Sequence, residues 1–156
     1  MGTNGYPFLR LAEYLTSQPI YRSDQVEWFI QTGGFEIIPP ACGRVVNMVT
    51  RDEMVSFVRR ASLVISHCGI GSLYMMLQYR KQVIFVPRVA CYGEFSDDHQ
   101  LQIANEIHNP RMKVIFPEGQ FPVMDFDDIR SYPVCKEPIN IANFKLAAII
   151  REALLN

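Results

Sequence analysis

The stretch "SHCGIGS", residues 66–72, sets two glycines two residues apart just after an apolar run. Gly69 and Gly71 give up side-chain packing, and Ser72 then opens a helical pattern. A strand, a glycine turn and a helix N-terminus together present outward backbone N–H groups to an anion, and the helix dipole favours negative charge there. The same two glycines also suit a plain tight turn. A second cluster, "SDDHQ" at 96–100, places His99 and Gln100 in the first turn of a helix, where they offer directional hydrogen bonds to a polar ligand. It reads equally as a solvated turn whose Asp97 and Asp98 oppose the helix dipole. His108 reads as a half-buried structural histidine. Ser66 and His67 do not form a hydrolase pair, because adjacent residues leaving a strand point to opposite faces and no carboxylate is placed to orient the imidazole. Cys42, Cys68, Cys91 and Cys135 lie far apart with no CxxC, so free thiols in a reducing cytosol are expected rather than a zinc site.

These residues need elements to hold them. Short apolar runs at 26–33, 43–49, 62–66, 82–87 and 113–116 read as strands. Helical patterns fall at 50–61, 72–79, 96–109 and 140–155, with another from about Pro7. Thr50 and Glu53 have the spacing of a capping box, and Met54, Phe57, Val58 and Ala61 form the stripe of that helix. For 96–109 the expected cap is Ser96 or Asp97, and the expected apolar face is Leu101, Ala104, Ile107 and His108. Strand and helix alternate and the strands are apolar throughout. The expected fold is therefore α/β: a Rossmann-like parallel sheet with helices on both faces, forming one domain over residues 1–156. In such sheets a ligand sits beyond the carboxyl ends of the strands. The four-proline segment 117–138 reads as an irregular loop, and 140–155 as a closing or docking helix. The opening "GTNGYPF" has no strand before it, although a doubly wound sheet calls for about five apolar residues there. The expected fold thus lacks its first strand.

Net charge is −1 and the isoelectric point about 6.3, which gives no bulk attraction to nucleic acid or anionic lipid. No apolar run approaches the ~20 residues of a membrane span, and no signal peptide precedes the first motif. A cytoplasmic chain is expected, peripheral to the inner face of the membrane through a partner.

The order "GTNGYPF", "QTG", "SHCGIGS", "VIFVPR", "YGEFSDDHQLQIANEI" resembles the glycosyltransferase family 28 C-terminal domain, over about residues 2 to 108. It is similar to the PssE-type subunits of exopolysaccharide and capsule synthesis and to the donor subunit of the two-subunit UDP-N-acetylglucosaminyltransferase of dolichol-linked glycans. The resemblance implies the donor-binding half of a GT-B glycosyltransferase, a hexosyltransferase that takes a UDP-sugar as substrate and needs no cofactor and no bound metal. UDP-N-acetylglucosamine, UDP-glucose and UDP-galactose all fit. It implies that Gly69, Ile70, Gly71 and Ser72 face the diphosphate, with His67 among the binding residues. Gly2, Thr3 and Asn4 would line the cleft. His99 and Gln100 would contact the sugar or diphosphate, and Pro87, Arg88, Tyr92 and Glu94 would flank the uracil or the sugar. The implied partner is a membrane-anchored, PssD-like acceptor-binding subunit, which would present a lipid-linked acceptor and supply the general base. Met75 stands where the family usually has a glutamate that holds the ribose hydroxyls. Losing such a charge-assisted pair costs about 1.5–3 kcal/mol. Arg80 and Gln82 replace the family's usual Gly and Pro, and Leu9 a usual acidic residue. A non-catalytic subunit of the same fold, with a degenerate donor site, is the alternative expectation.

Overall fold

The structure is a computed structural model. It describes residues 5–119, 121, 123 and 124. Gly2, Thr3 and Asn4, most of the 117–138 loop and the 140–155 helix lie outside the described residues.

In chain order the elements are α1 (Leu9–Ser17), a 3-10 turn (Pro19–Arg22), β1 (Trp28–Gln31), β2 (Gly43–Val46), α2 (Arg51–Arg60), β3 (Val64–His67), α3 (Ile70–Gln78), β4 (Val83–Val86), a 3-10 turn (Ala90–Tyr92), α4 (His99–Asn105) and β5 (Met112–Val114). All strand pairs are parallel. The strands form two hydrogen-bonded groups among the described residues, β1-β2 and β3-β4-β5. The expected α/β architecture with helix-covered parallel strands is therefore present, as two hydrogen-bonded groups among the described residues rather than one continuous ladder.

β4 shows why the fold has two core layers. Side chains alternate across a strand. Val83 and Phe85 join a cluster with Val58 of α2, Leu73, Met76 and Leu77 of α3, and Ile103 and Ala104 of α4. Ile84 and Val86 join a second cluster with Phe8, Leu11, Tyr14 and Leu15 from α1 and its entry. Helices α2–α4 thus cover one face and α1 the other. All four residues of β4 are buried.

The capping box is as expected. The Thr50 hydroxyl accepts from the Glu53 N–H at 3.3 Å, and the Thr50 N–H donates to the Glu53 carboxylate at 2.9 Å. Other boundaries move. α3 starts at Ile70 with Gly69 as N-cap, so Gly71 lies inside its first turn and Ser72 does not open the helix. α4 is shorter than 96–109. Its N-cap is Asp98, with no side-chain cap bond; the Asp97 carboxylate accepts the N–H of His99, the first residue of the helix, and the Asp98 carboxylate accepts the Ala90 N–H outside it. The helix ends at Asn105, so its periodicity no longer governs His108, which is exposed rather than half-buried.

Candidate anion site at the carboxyl ends of β3 and β4

β3 delivers His67 to the edge of the sheet, and α3 begins three residues later. No side chain caps that helix and no acidic residue stands in its first turn. Its first intrahelical bond runs from the Leu73 N–H to the Gly69 carbonyl. The N–H groups of Ile70, Gly71 and Ser72 precede that bond, so the helix offers them outward. They are aimed where an anion gains from the helix dipole.

The two glycines differ in what they do. A Cβ on Gly69 would lie 2.8 Å from His67 Nε2 and 3.0 Å from its Cδ2. Gly69 is therefore glycine because the imidazole packs over its backbone. A Cβ on Gly71 would meet nothing within 4 Å. Gly71 is exposed and borders a cavity of about 1590 Å³ that also touches Ser72, Arg88 and Gln100. Of the two, Gly71 leaves space for a ligand to approach the main chain.

His67 is half-buried, with Nδ1 sealed from water and no partner among the described residues. Its Nε2 is 3.5 Å from the Ser72 hydroxyl. Burial, with the nearby Arg88 charge as a second cause, pushes its pKa down to about 3. At neutral pH the ring is uncharged and a poor base. It holds the turn and faces Ser72 without activating it. Burial pushes the neighbouring Cys68 thiol up to about 12, which keeps it an unreactive thiol.

The loop after β4 is wired to α1. Arg10 Nε and Nη2 donate to the two Glu94 carboxylate oxygens at 2.9 and 2.8 Å, and Nη2 also donates to the Pro87 carbonyl at 2.8 Å. Glu94 accepts the Val89 N–H as well, at 3.0 Å. Arg88 is buried. Its Nη2 donates to the Tyr6 carbonyl at 3.2 Å, and its guanidinium sits 5.2 Å from the centre of the Phe8 ring. Desolvation lowers the Arg88 pKa, and the Glu94 charge opposes that shift. Gln100 is buried and accepts the Arg88 N–H at 3.1 Å. The Asp98 carboxylate accepts the Ala90 N–H at 2.8 Å.

The sequence-predicted residues thus separate into two groups. Gly71, Tyr92 and His99 are exposed, with Ile70 and Ser72 half-buried beside Gly71. His99 Nδ1 lies 3.1 Å from Gln102 Oε1. Pro87, Arg88, Glu94 and Gln100 are buried, and the bonds just described make them the brace of the loop. Met75 is half-buried against the α2–α4 cluster and borders the cavity. Arg10 was missed by sequence reasoning. Its partner is 84 residues away, and no local pattern marks such a pair. Among the described residues, no three His, Cys, Asp or Glu side chains come together as a metal site. None of the described helices is long and apolar enough to cross a membrane.

Parallel strands sandwiched by helices, with an uncapped helix N-terminus at their carboxyl ends, define a Rossmann-like α/β domain. Residues 23–115 match the family model of the Glycosyltransferase family 28 C-terminal domain, and the chain belongs to that family. Membership places it among the glycosyltransferases. The matched range contains the β3–α3 turn, the β4 loop and α4, and it starts after α1. The chain matches no curated protein and no solved structure.

Proposed function

We propose that the chain is the donor-binding subunit of a heteromeric UDP-sugar glycosyltransferase that builds a lipid-linked or surface polysaccharide, as in exopolysaccharide or capsule synthesis. The observation that carries the reading is the uncapped α3 N-terminus with open space over Gly71. A UDP leaving group gains negative charge as the glycosidic bond breaks, and amides fixed in advance around it stabilise that charge. The Ile70, Gly71 and Ser72 N–H groups would serve this role, with no cofactor and no metal required. Tyr92 on the braced loop and His99 just after it are exposed, and would contact the sugar or the uracil. UDP-N-acetylglucosamine, UDP-glucose and UDP-galactose are the candidate donors. A membrane-anchored partner would bring the lipid-linked acceptor and the general base, holding this chain at the cytoplasmic face of the membrane.

Met75 favours a second reading, a non-catalytic subunit of the same fold. Its thioether packs against the core where the family's glutamate would hold the ribose, and it cannot accept hydroxyl hydrogen bonds as a carboxylate does.

Calorimetric titration with UDP and then with a panel of UDP-sugars separates the two. Saturable UDP binding that Gly71→Val abolishes and His99→Ala weakens supports the first reading. A folded chain that binds no UDP at millimolar concentration, alone or with the membrane subunit, overturns it in favour of the second.

A further inference from the structure

We infer that Arg10 is a positioning residue for the donor site: from α1 it fixes the loop after β4 so that the Tyr92 ring stands ready as a wall for the uracil. The inference rests on the donor-binding reading above. It names a residue that lies before 23–115, the range that matches the family.

The first observation is how the loop is built. β4 ends at Val86, and the chain reaches Glu94 through the 3-10 turn at Ala90–Tyr92. The Tyr92 N–H donates to the Val89 carbonyl at 3.3 Å, the Gly93 N–H to the Ala90 carbonyl at 2.9 Å, and the Glu94 N–H back to the Val89 carbonyl at 3.2 Å. Gly93 takes φ +68°, the left-handed region open to glycine, which lets the chain turn back. The turn is short and closed, and it leaves Tyr92 55% exposed.

The second is what holds the two ends of that loop. Arg10 Nη2 donates to the Pro87 carbonyl at one end, and Nε and Nη2 donate to the two Glu94 carboxylate oxygens at the other. One planar guanidinium thus sets the spacing of Pro87 and Glu94. A rigid fork suits that task and a single ammonium does not. Stability alone does not call for the charges, since an apolar pair often replaces a buried ion pair without loss. A fixed register is what the fork adds.

The third is the ring itself. The Arg10 guanidinium lies 5.5 Å from the centre of the Tyr92 ring, within cation–π range. The Phe8 and Phe121 rings stand 5.4 and 5.9 Å from it. Arg10 Nη1 is sealed from water, with no hydrogen-bond partner among the described residues. Aromatic rings therefore meet the cation beside its bonds to the loop, and Tyr92 is the exposed one. A flat ring seated on a fixed cation offers its face to a flat base. A wall ordered in advance leaves the ligand no ordering to impose.

The test combines Arg10→Met with Glu94→Gln, which removes both charges together and keeps an oxygen for the Val89 N–H. Arg10→Lys keeps the charge without the fork and serves where the combined variant does not fold. Hydrogen exchange at the Tyr92 and Gly93 amides is read without nucleotide. UDP affinity is then measured by titration calorimetry with and without Tyr92→Ala, in the parent and in the Arg10 variants. Support is exchange at least tenfold faster at both amides in the variants, with Tyr92→Ala weakening UDP about tenfold in the parent and less than twofold in the variants. A merely stabilising pair lowers Tm but leaves the Tyr92→Ala factor equal in both backgrounds, and that result overturns the inference. Unchanged exchange at both amides overturns it too, as does a Tyr92→Ala effect below twofold in the parent. In these three cases the parent still binds UDP and the donor reading stands. A parent that binds no UDP, alone or with the membrane subunit, overturns both together.

Discussion

Gly69 and Gly71 stand two residues apart, and alanine at each should act with opposite sign on stability. At Gly69 the new Cβ would sit 2.8 Å from His67 Nε2, well inside van der Waals contact. The imidazole cannot yield freely, since its Nδ1 side is sealed inside the protein. Overpacking of this kind costs about 1–3 kcal/mol, which lowers Tm by about 2–12 °C at this chain length. Gly71 lies within the first turn of α3, is exposed, and meets nothing with an added Cβ. Glycine within a helix is worse than alanine by about 0.5–1 kcal/mol, so Gly71→Ala should raise Tm by about 1–4 °C. For UDP the two variants converge. Gly71→Ala places a methyl over the amides proposed to hold the diphosphate, and loss of a charge-assisted bond of about 1.5–3 kcal/mol weakens binding roughly ten- to hundredfold. Gly69→Ala should weaken binding as well, by displacing the turn. Differential scanning calorimetry gives the stability arm and titration calorimetry with UDP the binding arm. A Gly71→Ala protein that is more stable and binds UDP like the parent refutes the placement of the diphosphate. A Gly69→Ala protein with unchanged Tm refutes the packing of His67 over the main chain.

Removing the charge of Glu94 as Glu94→Gln strands Arg10, whose side chain is 19% exposed against 4% for Glu94. Breaking a buried pair costs about 3–5 kcal/mol. The partial exposure of Arg10 reduces this to about 2–3 kcal/mol, and thermal denaturation should show a Tm lower by about 4–12 °C; a shift under about 2 °C contradicts the brace. His67 makes stability depend on pH. Its folded pKa lies below its unfolded value, so the unfolded chain binds the proton first and stability is lost as pH falls from about 6.5 toward 3. The loss is at most about 1.4 kcal/mol per pH unit. Urea denaturation at pH 7.5 and 5.0 should show a smaller acid loss in His67→Gln than in the parent, and equal losses would refute a neutral buried ring. Arg80 adopts φ +52°, the left-handed region where glycine carries no Cβ penalty. Arg80→Gly keeps the carbonyl that accepts from Arg111 and should stabilise by about 0.5–1 kcal/mol, read as a raised urea midpoint.

The strands and the capping box were legible because their signals are local: apolar runs bounded by turn residues, and Thr50 three residues before Glu53. The glycine turn between β3 and α3 was legible as a turn, but the distinct task of Gly69 was not. The approach of His67 depends on how β3 enters α3, and sequence spacing does not carry it. The brace of the β4 loop was hidden for a related reason. Glu94 and Gln100 looked like ligand contacts from the motif around them, while their partners Arg10 and the Arg88 amide lie far away in sequence or in the main chain. The start of α3 was misplaced because serine is a common cap, yet a glycine with extended backbone served instead.

The only tryptophan in the chain is Trp28. It lies on β1 with its ring 5.4 Å from that of Tyr21, and it borders the cavity that also touches β3. Excited beyond the absorption of tyrosine, the protein therefore emits from a single point on the smaller sheet. Melting of β1 and β2 would move that emission to the red. Label-free fluorescence thus follows the β1–β2 pair by itself.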